Sequence, residues 1–133
     1  MTPFHLKIVT PDGLIYDGEA EQLTVRTQEG DVSILARHIN FVTPLGMGRA
    51  AVVANGQRRN AACIGGMLSV VNGEVTLVPT TFEWADQIDV ERAERAQKKA
   101  EERLKASSSY TEVRLAEAKL HRALVRKSVA SYK

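Results

Sequence analysis

The character of the chain changes near residue 85. Residues 1–84 contain short segments of alternating apolar and polar residues separated by turn signals, a pattern typical of β-strands. Residues 85–133 are rich in alanine and charge and predict two helices joined by the segment Lys105-Ala106-Ser107-Ser108-Ser109. We therefore expect an α+β chain with a β domain over residues 1–84 and an antiparallel helical hairpin over residues 85–133. A hairpin of this length has little core of its own, so docking or a ligand has to hold it.

Turn signals divide the first part into many short strands. Phe4, Leu6 and Ile8 alternate with polar residues, as expected for a half-buried strand. Asn55-Gly56 and Asn72-Gly73 are the strongest hairpin signals, because both residue types accept a positive φ. Eight or more short strands at this close spacing predict a sandwich or a barrel.

Capping residues predict where the two helices begin. Asp86 is expected to be the N-cap of the first helix, with Asp89 as an acid in its first turn. Ser109 and Glu112 form an S-x-x-E capping box at the second helix. The expected inward-facing stripes are Ala93, Ala96, Ala100 and Leu104 in the first helix and Val113, Ala116, Leu120 and Ala123 or Leu124 in the second. Small side chains bury little apolar area, so we expect the hairpin to be only marginally stable.

The net charge of +2 hides an asymmetry. Residues 1–84 carry 6 Lys and Arg against 8 Asp and Glu, whereas residues 85–133 carry 12 against 8. Residues 85–106 are balanced at 6 against 6, so the excess lies on the second helix and predicts an anionic partner. Cys63 is the only cysteine and no apolar run approaches the length of a membrane span, which together favour a cytoplasmic protein.

Three arginines of the hairpin are candidates for binding an anion. Arg122 and Arg126 are four residues apart on the second helix and share a face, where a bound phosphate or carboxylate would offset their repulsion. Arg92 follows Asp89 near the start of the first helix, and antiparallel packing brings that start close to the end of the second helix. Convergence of three guanidiniums predicts a polyphosphate site. The alternatives are a solvated basic face for Arg122 and Arg126, and a helix-stabilising pair of Asp89 with Arg92.

Other chemical motifs in the chain are weak. Residues 46–51 match the dinucleotide pattern G-x-G-x-x-A but lack the following helix that such a site needs. His5, His38 and His121 are far apart in sequence, and Cys63 has no cysteine partner, so we expect no metal site. No serine, cysteine or carboxylate pair stands at a catalytic spacing, and we expect no catalytic residue.

Several motifs occur together in one order along the chain. They are Ile8-Val9-Thr10-Pro11-Asp12-Gly13, Gly30-Asp31 with Ile34-Leu35, His38-Ile39, Val42-Thr43-Pro44-Leu45 and Gly65-Gly66-Met67-Leu68-Ser69-Val70. With the helical hairpin that follows, they make the chain resemble the bacterial epsilon subunit of the F-type ATP synthase over essentially its whole length. Ala36-Arg37 and Asn40 depart from the family pattern, which usually has Pro-Gly at the first place and proline or alanine at the second.

The resemblance implies a β-sandwich of about ten strands followed by a two-helix domain, placed on the central rotor. It implies contacts with the gamma subunit and the ring of c subunits, for which we expect Glu29, Gly30, Asp31 and His38 to serve. It further implies contacts with the beta and alpha subunits through an extended hairpin that inhibits ATP hydrolysis. The location implied is peripheral, at the cytoplasmic face of the cell membrane, with membrane association only through the complex and no nucleic-acid partner.

In some bacterial members of this family the folded hairpin binds ATP through a motif I/L-D-x-x-R-A. Ile88-Asp89-Val90-Glu91-Arg92-Ala93 matches this motif in full. The implied ATP-binding set is Glu83, Ile88, Asp89, Arg92, Ala93, Arg122 and Arg126. The arginines would hold or flank the phosphates, with Glu83 and Asp89 nearer the base and ribose. ATP would be a regulatory ligand rather than a catalytic cofactor, and the motif leaves a requirement for Mg²⁺ open.

Two other functions are open from the residues alone. A nucleic-acid-binding module would use the basic second helix, but aromatic residues make up only 5% of the chain and its overall charge is small. A small nucleotide hydrolase would use a P-loop, and the sequence has no G-x-x-x-x-G-K-[ST] segment. Steeply salt-dependent binding to DNA would support the first alternative, and phosphate release by the purified chain would support the second.

Overall fold

The computed structural model describes residues 2–132. Within this range the first part of the chain contains ten strands: β1 (Phe4–Thr10), β2 (Gly13–Ala20), β3 (Gln22–Thr27), β4 (Gly30–Ile34), β5 (Phe41–Pro44), β6 (Met47–Ala54), β7 (Gln57–Ile64), β8 (Met67–Val71), β9 (Glu74–Val78) and β10 (Thr81–Trp84). A short 3-10 helix (Ala85–Gln87) leads into two longer helices, α1 (Val90–Ala106) and α2 (Tyr110–Ala130). No helix in the described part of the chain combines the length and apolar content needed to cross a bilayer.

The strands form two stacked sheets of five, which we call sheet A and sheet B. Sheet A has the order β2-β1-β9-β8-β5, and sheet B has the order β10-β7-β6-β3-β4. Neighbouring strands are antiparallel except β1 and β9, which pair in parallel. The predicted sandwich of about ten strands followed by a two-helix hairpin is confirmed, with this one parallel pair inside an otherwise antiparallel fold.

The core between the sheets is almost entirely apolar. Leu6, Leu23 and Leu77 are completely buried in it, and alternate residues of β1 point inward, as the period-two pattern predicts. Cys63 lies in the same core, where burial raises the pKa of its thiol to about 12. This cysteine therefore stays protonated and packs as a small apolar side chain.

Both Asn-Gly turns adopt the backbone predicted for them. The φ angles are 54° and 72° at Asn55 and Gly56, and 50° and 83° at Asn72 and Gly73. Positive φ at both central residues gives a turn whose twist matches that of the flanking strands. The turns join β6 to β7 and β8 to β9, and so fix two of the hairpins from local sequence.

The first helix begins later than the sequence predicts. The expected N-cap at Asp86 is wrong, because Ile88 is extended and buried and thereby interrupts the helical backbone. The helix starts at Val90 instead, and Asp89 is its N-cap. The Asp89 Oδ1 atom accepts a hydrogen bond from the backbone N–H of Arg92 at 3.0 Å.

The second helix begins as predicted, and the inner seam of the hairpin is made of small residues. Ser109 Oγ accepts a hydrogen bond from the backbone N–H of Glu112 at 3.1 Å. The buried alanines of the two helices are Ala93, Ala100, Ala116, Ala123 and Ala130, the last of which packs on sheet B. Ala96 and Leu124, which the predicted stripes include, are exposed instead. The two helices therefore approach closely but bury little apolar area against each other.

The hairpin docks on the outer face of sheet B mainly through α2. We call its contact the docking cluster; it consists of Ala62, Ala85, Ile88, Val125, Val129 and Ala130, with Met47 and Val90 packed against it. This cluster is separate from the core between the sheets. Its side chains are mostly small, so the docked hairpin is held by a modest apolar contact that a few polar interactions or a ligand can bias.

Candidate functional site

The site predicted from the sequence lies where α1 begins, beside β10 and the last turns of α2. Ile88 belongs to the docking cluster and anchors the segment that precedes α1. Asp89 caps the helix, and Ala93 is buried one turn later. Each of these three residues has a local structural role, whereas the side chain of Arg92 is exposed at the same helix end. The motif thus fixes the start of α1 and leaves one guanidinium free to face a ligand.

One ion pair joins α2 to the sandwich at this place. Arg126 Nε donates to Glu83 Oε1 at 2.6 Å, and the two side chains are 26% and 38% exposed. Glu83 lies on β10 between Phe82 and Trp84, whose side chains are buried in the core, so its own side chain faces the hairpin. Two residues predicted at the site, one on the sandwich and one near the end of α2, are therefore in direct contact.

Arg122 and Arg92 are the other two arginines predicted at the site. Arg122 lies one turn before Arg126 on α2 and is partly buried, and Arg92 lies in the first turn of α1. Among residues 2–132, neither of these two guanidiniums forms an ion pair. The predicted set contains three arginines, Arg92, Arg122 and Arg126, and two acids, Glu83 and Asp89. The surplus of planar, bidentate donors suits an anion with several oxygen atoms, such as a polyphosphate.

Two polar contacts that sequence reasoning missed hold the hairpin in register. Lys127 Nζ donates to Gln97 Oε1 at 2.9 Å across the two helices. Arg49 on β6 stacks on the ring of Tyr132, with its guanidinium carbon 4.7 Å from the ring centre. Neither pair has a sequence signature, because the partners are distant along the chain and meet only after the hairpin docks. The first contact joins the middle of α1 to the last turn of α2.

Three of the residues expected at the rotor contact lie where β3 turns into β4, with Glu29 in the turn and Gly30 and Asp31 at the start of β4. Glu29 and Asp31 are exposed, and Gly30 has a φ of 123°, which glycine adopts readily. Asp31 pairs with Arg26 at 3.0 Å, so its carboxylate is oriented toward the neighbouring strand β3. The turn is at the edge of sheet B, where a partner can reach it.

The fourth of these residues, His38, lies in the loop between β4 and β5. Its ring is edge-on to Phe41, and its Nδ1 atom is 2.8 Å from the carbonyl oxygen of Ile39. Ile39 is 77% exposed, which gives the loop an apolar tip. Arg37 has a φ of 65°, so the loop keeps a left-handed residue where the family pattern has glycine.

The chain is similar to known proteins in both sequence and fold. The family model described as "ATP synthase, Delta/Epsilon chain, beta-sandwich domain" matches residues 3–85, and the one described as "ATP synthase, Delta/Epsilon chain, long alpha-helix domain" matches residues 86–131. The ATP synthase epsilon chain of Bacillus velezensis is 43% identical over 130 residues, which cover 98% of each chain. That of Ruminococcus albus is 40% identical over 134 residues and 100% of each chain. A chain in the cryo-EM structure of the Euglena gracilis mitochondrial ATP synthase shares the fold, with a TM-score of 0.85 at 22% identity over 100% of this chain and 83% of that one.

A ten-stranded sandwich that carries a docked helical hairpin defines a class of ATP synthase subunits, and this chain belongs to that family of delta and epsilon chains. Its similarity to bacterial epsilon chains extends over the full length of both partners. Within the family it is accordingly an epsilon-type chain of the F-type ATP synthase.

Proposed function

We propose that this chain is a non-catalytic regulatory subunit of the central stalk, with a hairpin that binds ATP when folded and inhibits ATP hydrolysis when extended. Its sandwich stays bound to the gamma subunit and the ring of c subunits at the cytoplasmic face of the membrane. The extended hairpin reaches the beta and alpha subunits. The solved relative from Euglena gracilis belongs to an assembly that contains a c-ring, which supports this placement.

The observation that carries the regulatory proposal is the ion pair of Arg126 with Glu83 at the root of the hairpin. It lies beside the complete I-D-V-E-R-A motif and joins a helix that otherwise docks through small apolar side chains. In the docked state Arg126 contacts the sandwich at Glu83, and a polyphosphate bound there is proposed to hold Arg92 and Arg122 together with it. In the extended state the arginines separate from the sandwich, so a ligand that needs them together binds only the docked state.

Such a ligand shifts the hairpin by its differential affinity for the two states. At an ATP concentration about 100 times Kd, the docked state gains about 2.7 kcal/mol. The docked hairpin is held by a small contact of alanine and valine side chains and one ion pair. A free-energy change of this size is therefore enough to shift the hairpin between its two states. When ATP is scarce the hairpin is released, and the excess positive charge of α2 favours the acidic surface of the catalytic subunits.

The outer face of sheet A supports the proposed attachment to the gamma subunit. Val42 on β5, Met67 and Val71 on β8, and Val78 on β9 are between 43% and 61% exposed. The register pairs Met67 with Val78 and sets Val42 opposite Ser69, so these side chains share one face. A cluster of exposed apolar side chains at the β5 edge marks an interaction surface.

Replacing Val42 with aspartate tests that surface. Because the side chain is 61% exposed, we expect the free energy of unfolding to fall by no more than about 1 kcal/mol. We expect binding to the gamma subunit to weaken at least tenfold, since a charge would be buried in an apolar contact. Leu14→Asp, at the exposed far edge of the same sheet, is the matched control. If both variants lose binding equally, or if neither loses binding, this face is not part of the contact with the gamma subunit.

The whole proposal is tested on the parent complex with and without residues 85–133. At low ATP the complex that lacks the hairpin is expected to hydrolyse ATP faster than the complete one. At high ATP the two rates are expected to converge, because bound ATP keeps the hairpin docked. Equal rates at low ATP would contradict the inhibitory role and leave the placement of the sandwich standing.

A further inference from the structure

A histidine on the outer face of sheet A lies between two carboxylates. His5 Nδ1 is 2.5 Å from Glu74 Oε2, and His5 Nε2 is 2.5 Å from Asp17 Oδ1. The three residues come from β1, β9 and β2, which are neighbours in the sheet. A single imidazole ring therefore bridges three strands. All three side chains are at least 42% exposed, so the ring can exchange a proton with solvent.

Both contacts can be hydrogen bonds at once only if the ring carries two protons. A carboxylate ion accepts hydrogen bonds and cannot donate them, and a neutral imidazole has a single N–H. The two carboxylates lie on opposite nitrogens and surround the ring rather than a common point. Within the described residues, no group of three or more His, Cys, Asp or Glu side chains is arranged so that it could hold a metal ion. The geometry consequently selects the imidazolium form of His5.

We infer that His5, Asp17 and Glu74 form a proton-binding clamp that ties β2 and β9 to β1. When the ring loses a proton it keeps one N–H, so one of the two carboxylates loses its hydrogen bond. The local charge then changes from −1 to −2, and the two carboxylates repel each other across β1. The edge strand β2 and the start of β1 are held less tightly as a result.

When His5 loses its proton, the charged residues around the clamp do not compensate for the lost positive charge. From β1 the nearest charged residue on the same face is Lys7, which is paired in register with Asp17. From β2 it is Glu19, which lies directly opposite His5 in register. From β9 the next residue on this face is the uncharged Thr76. Hydrogen bonds to Asp17 and then to Glu74 are the main causes that raise the pKa of His5 above 6.5, while slight desolvation opposes them.

The direction of the pH effect follows from this raised pKa. A histidine that is a stronger base in the folded chain than in the unfolded chain stabilises the fold when it is protonated. The stabilisation is complete below pH 6.5, the ordinary value, and is lost as the pH rises through the higher pKa of the folded chain. The clamp is thus closed in acid and open in base.

The experiment is an NMR titration of the His5 ring in the full chain, together with thermal unfolding as a function of pH. We expect the His5 pKa to lie above 6.5 and to fall in both Asp17→Asn and Glu74→Gln. Glu19→Gln is the matched control, because it removes a neighbouring carboxylate that does not contact the ring. Its effect on the His5 pKa is expected to be smaller than that of either contact variant.

The thermal measurement compares the chain with His5→Gln from pH 5.5 to pH 8.5. We expect the original chain to have the higher melting temperature in acid and the difference to shrink as the pH rises. A His5 pKa at or below 6.5 would overturn the inference. A difference in melting temperature that is independent of pH, or an equal effect of all three carboxyl variants, would also overturn it.

Discussion

Replacing Arg126 with alanine is expected to weaken ATP binding to the isolated chain by roughly tenfold to a hundredfold. A hydrogen bond to a charged group contributes about 1.5–3 kcal/mol, and each 1.4 kcal/mol corresponds to a factor of ten in Kd. The substitution also breaks the ion pair with Glu83 and so lowers the population of the docked hairpin. Both effects act in the same direction. Isothermal titration of the purified variant with ATP, with and without Mg²⁺, measures the change.

Arg92→Ala tests the same site from the other helix without disturbing that ion pair. We expect a loss of ATP affinity of about tenfold, since Arg92 has no ion pair to lose in the described residues. Arg114→Ala is the matched control, because it removes the same charge from α2 at a position beside Tyr110 and far from the docking cluster. If Arg114→Ala weakens binding as much as the other two variants, the site is not where we place it.

The largest effect on stability is expected from Gly66→Ala. Gly66 has a φ of 98°, and a Cβ atom there would lie only 2.0 Å from the carbonyl oxygen of Val78. The backbone would have to move, because the clash is with main-chain atoms of the neighbouring segment. We expect the free energy of unfolding to fall by roughly 3 kcal/mol or more. For a domain of this size that lowers the melting temperature by more than about 10 °C.

Gly73→Ala separates the close contact from the backbone conformation. Gly73 has a φ of 83°, similar to Gly66, but a Cβ atom would meet nothing within 4 Å. We therefore expect Gly73→Ala to lower the free energy of unfolding only through its positive φ, by about 1–2 kcal/mol. Circular dichroism during thermal unfolding compares the two variants. Equal melting temperatures would show that the contact with Val78 is not what requires glycine at position 66.

Much of the sandwich could be predicted because its signals are local. The Asn-Gly turns fix two hairpins, and the alternation in β1 shows which side chains are buried. The second strand had no such signal: as an edge strand it buries little, so its sequence does not alternate. The parallel pairing of β1 with β9 also could not be predicted. It joins His5 to Glu74, which are 69 residues apart, and only the packed sheet brings them together.

The sequence indicated a set of residues for the candidate site but not how they are arranged. Asp89 and Arg92 were identified by a contiguous motif, but the role of Asp89 as the N-cap depended on Ile88 being buried first. The contact of Arg126 with Glu83 depends on which helix docks on sheet B. Both helices carry an alanine stripe, so the sequence did not show which of them docks on sheet B. In the structure Val125 and Val129 of α2 form that contact.

The most direct test of the account is the thermal stability of the full chain as ATP is added. A ligand that bridges the two helices and the sandwich must raise the melting temperature in proportion to the logarithm of its concentration once it exceeds Kd. We predict such a rise for the original chain and for Arg114→Ala, and a much smaller one for Arg92→Ala and Arg126→Ala. An unchanged melting temperature of the original chain at millimolar ATP would contradict the claim that nucleotide holds the hairpin in place.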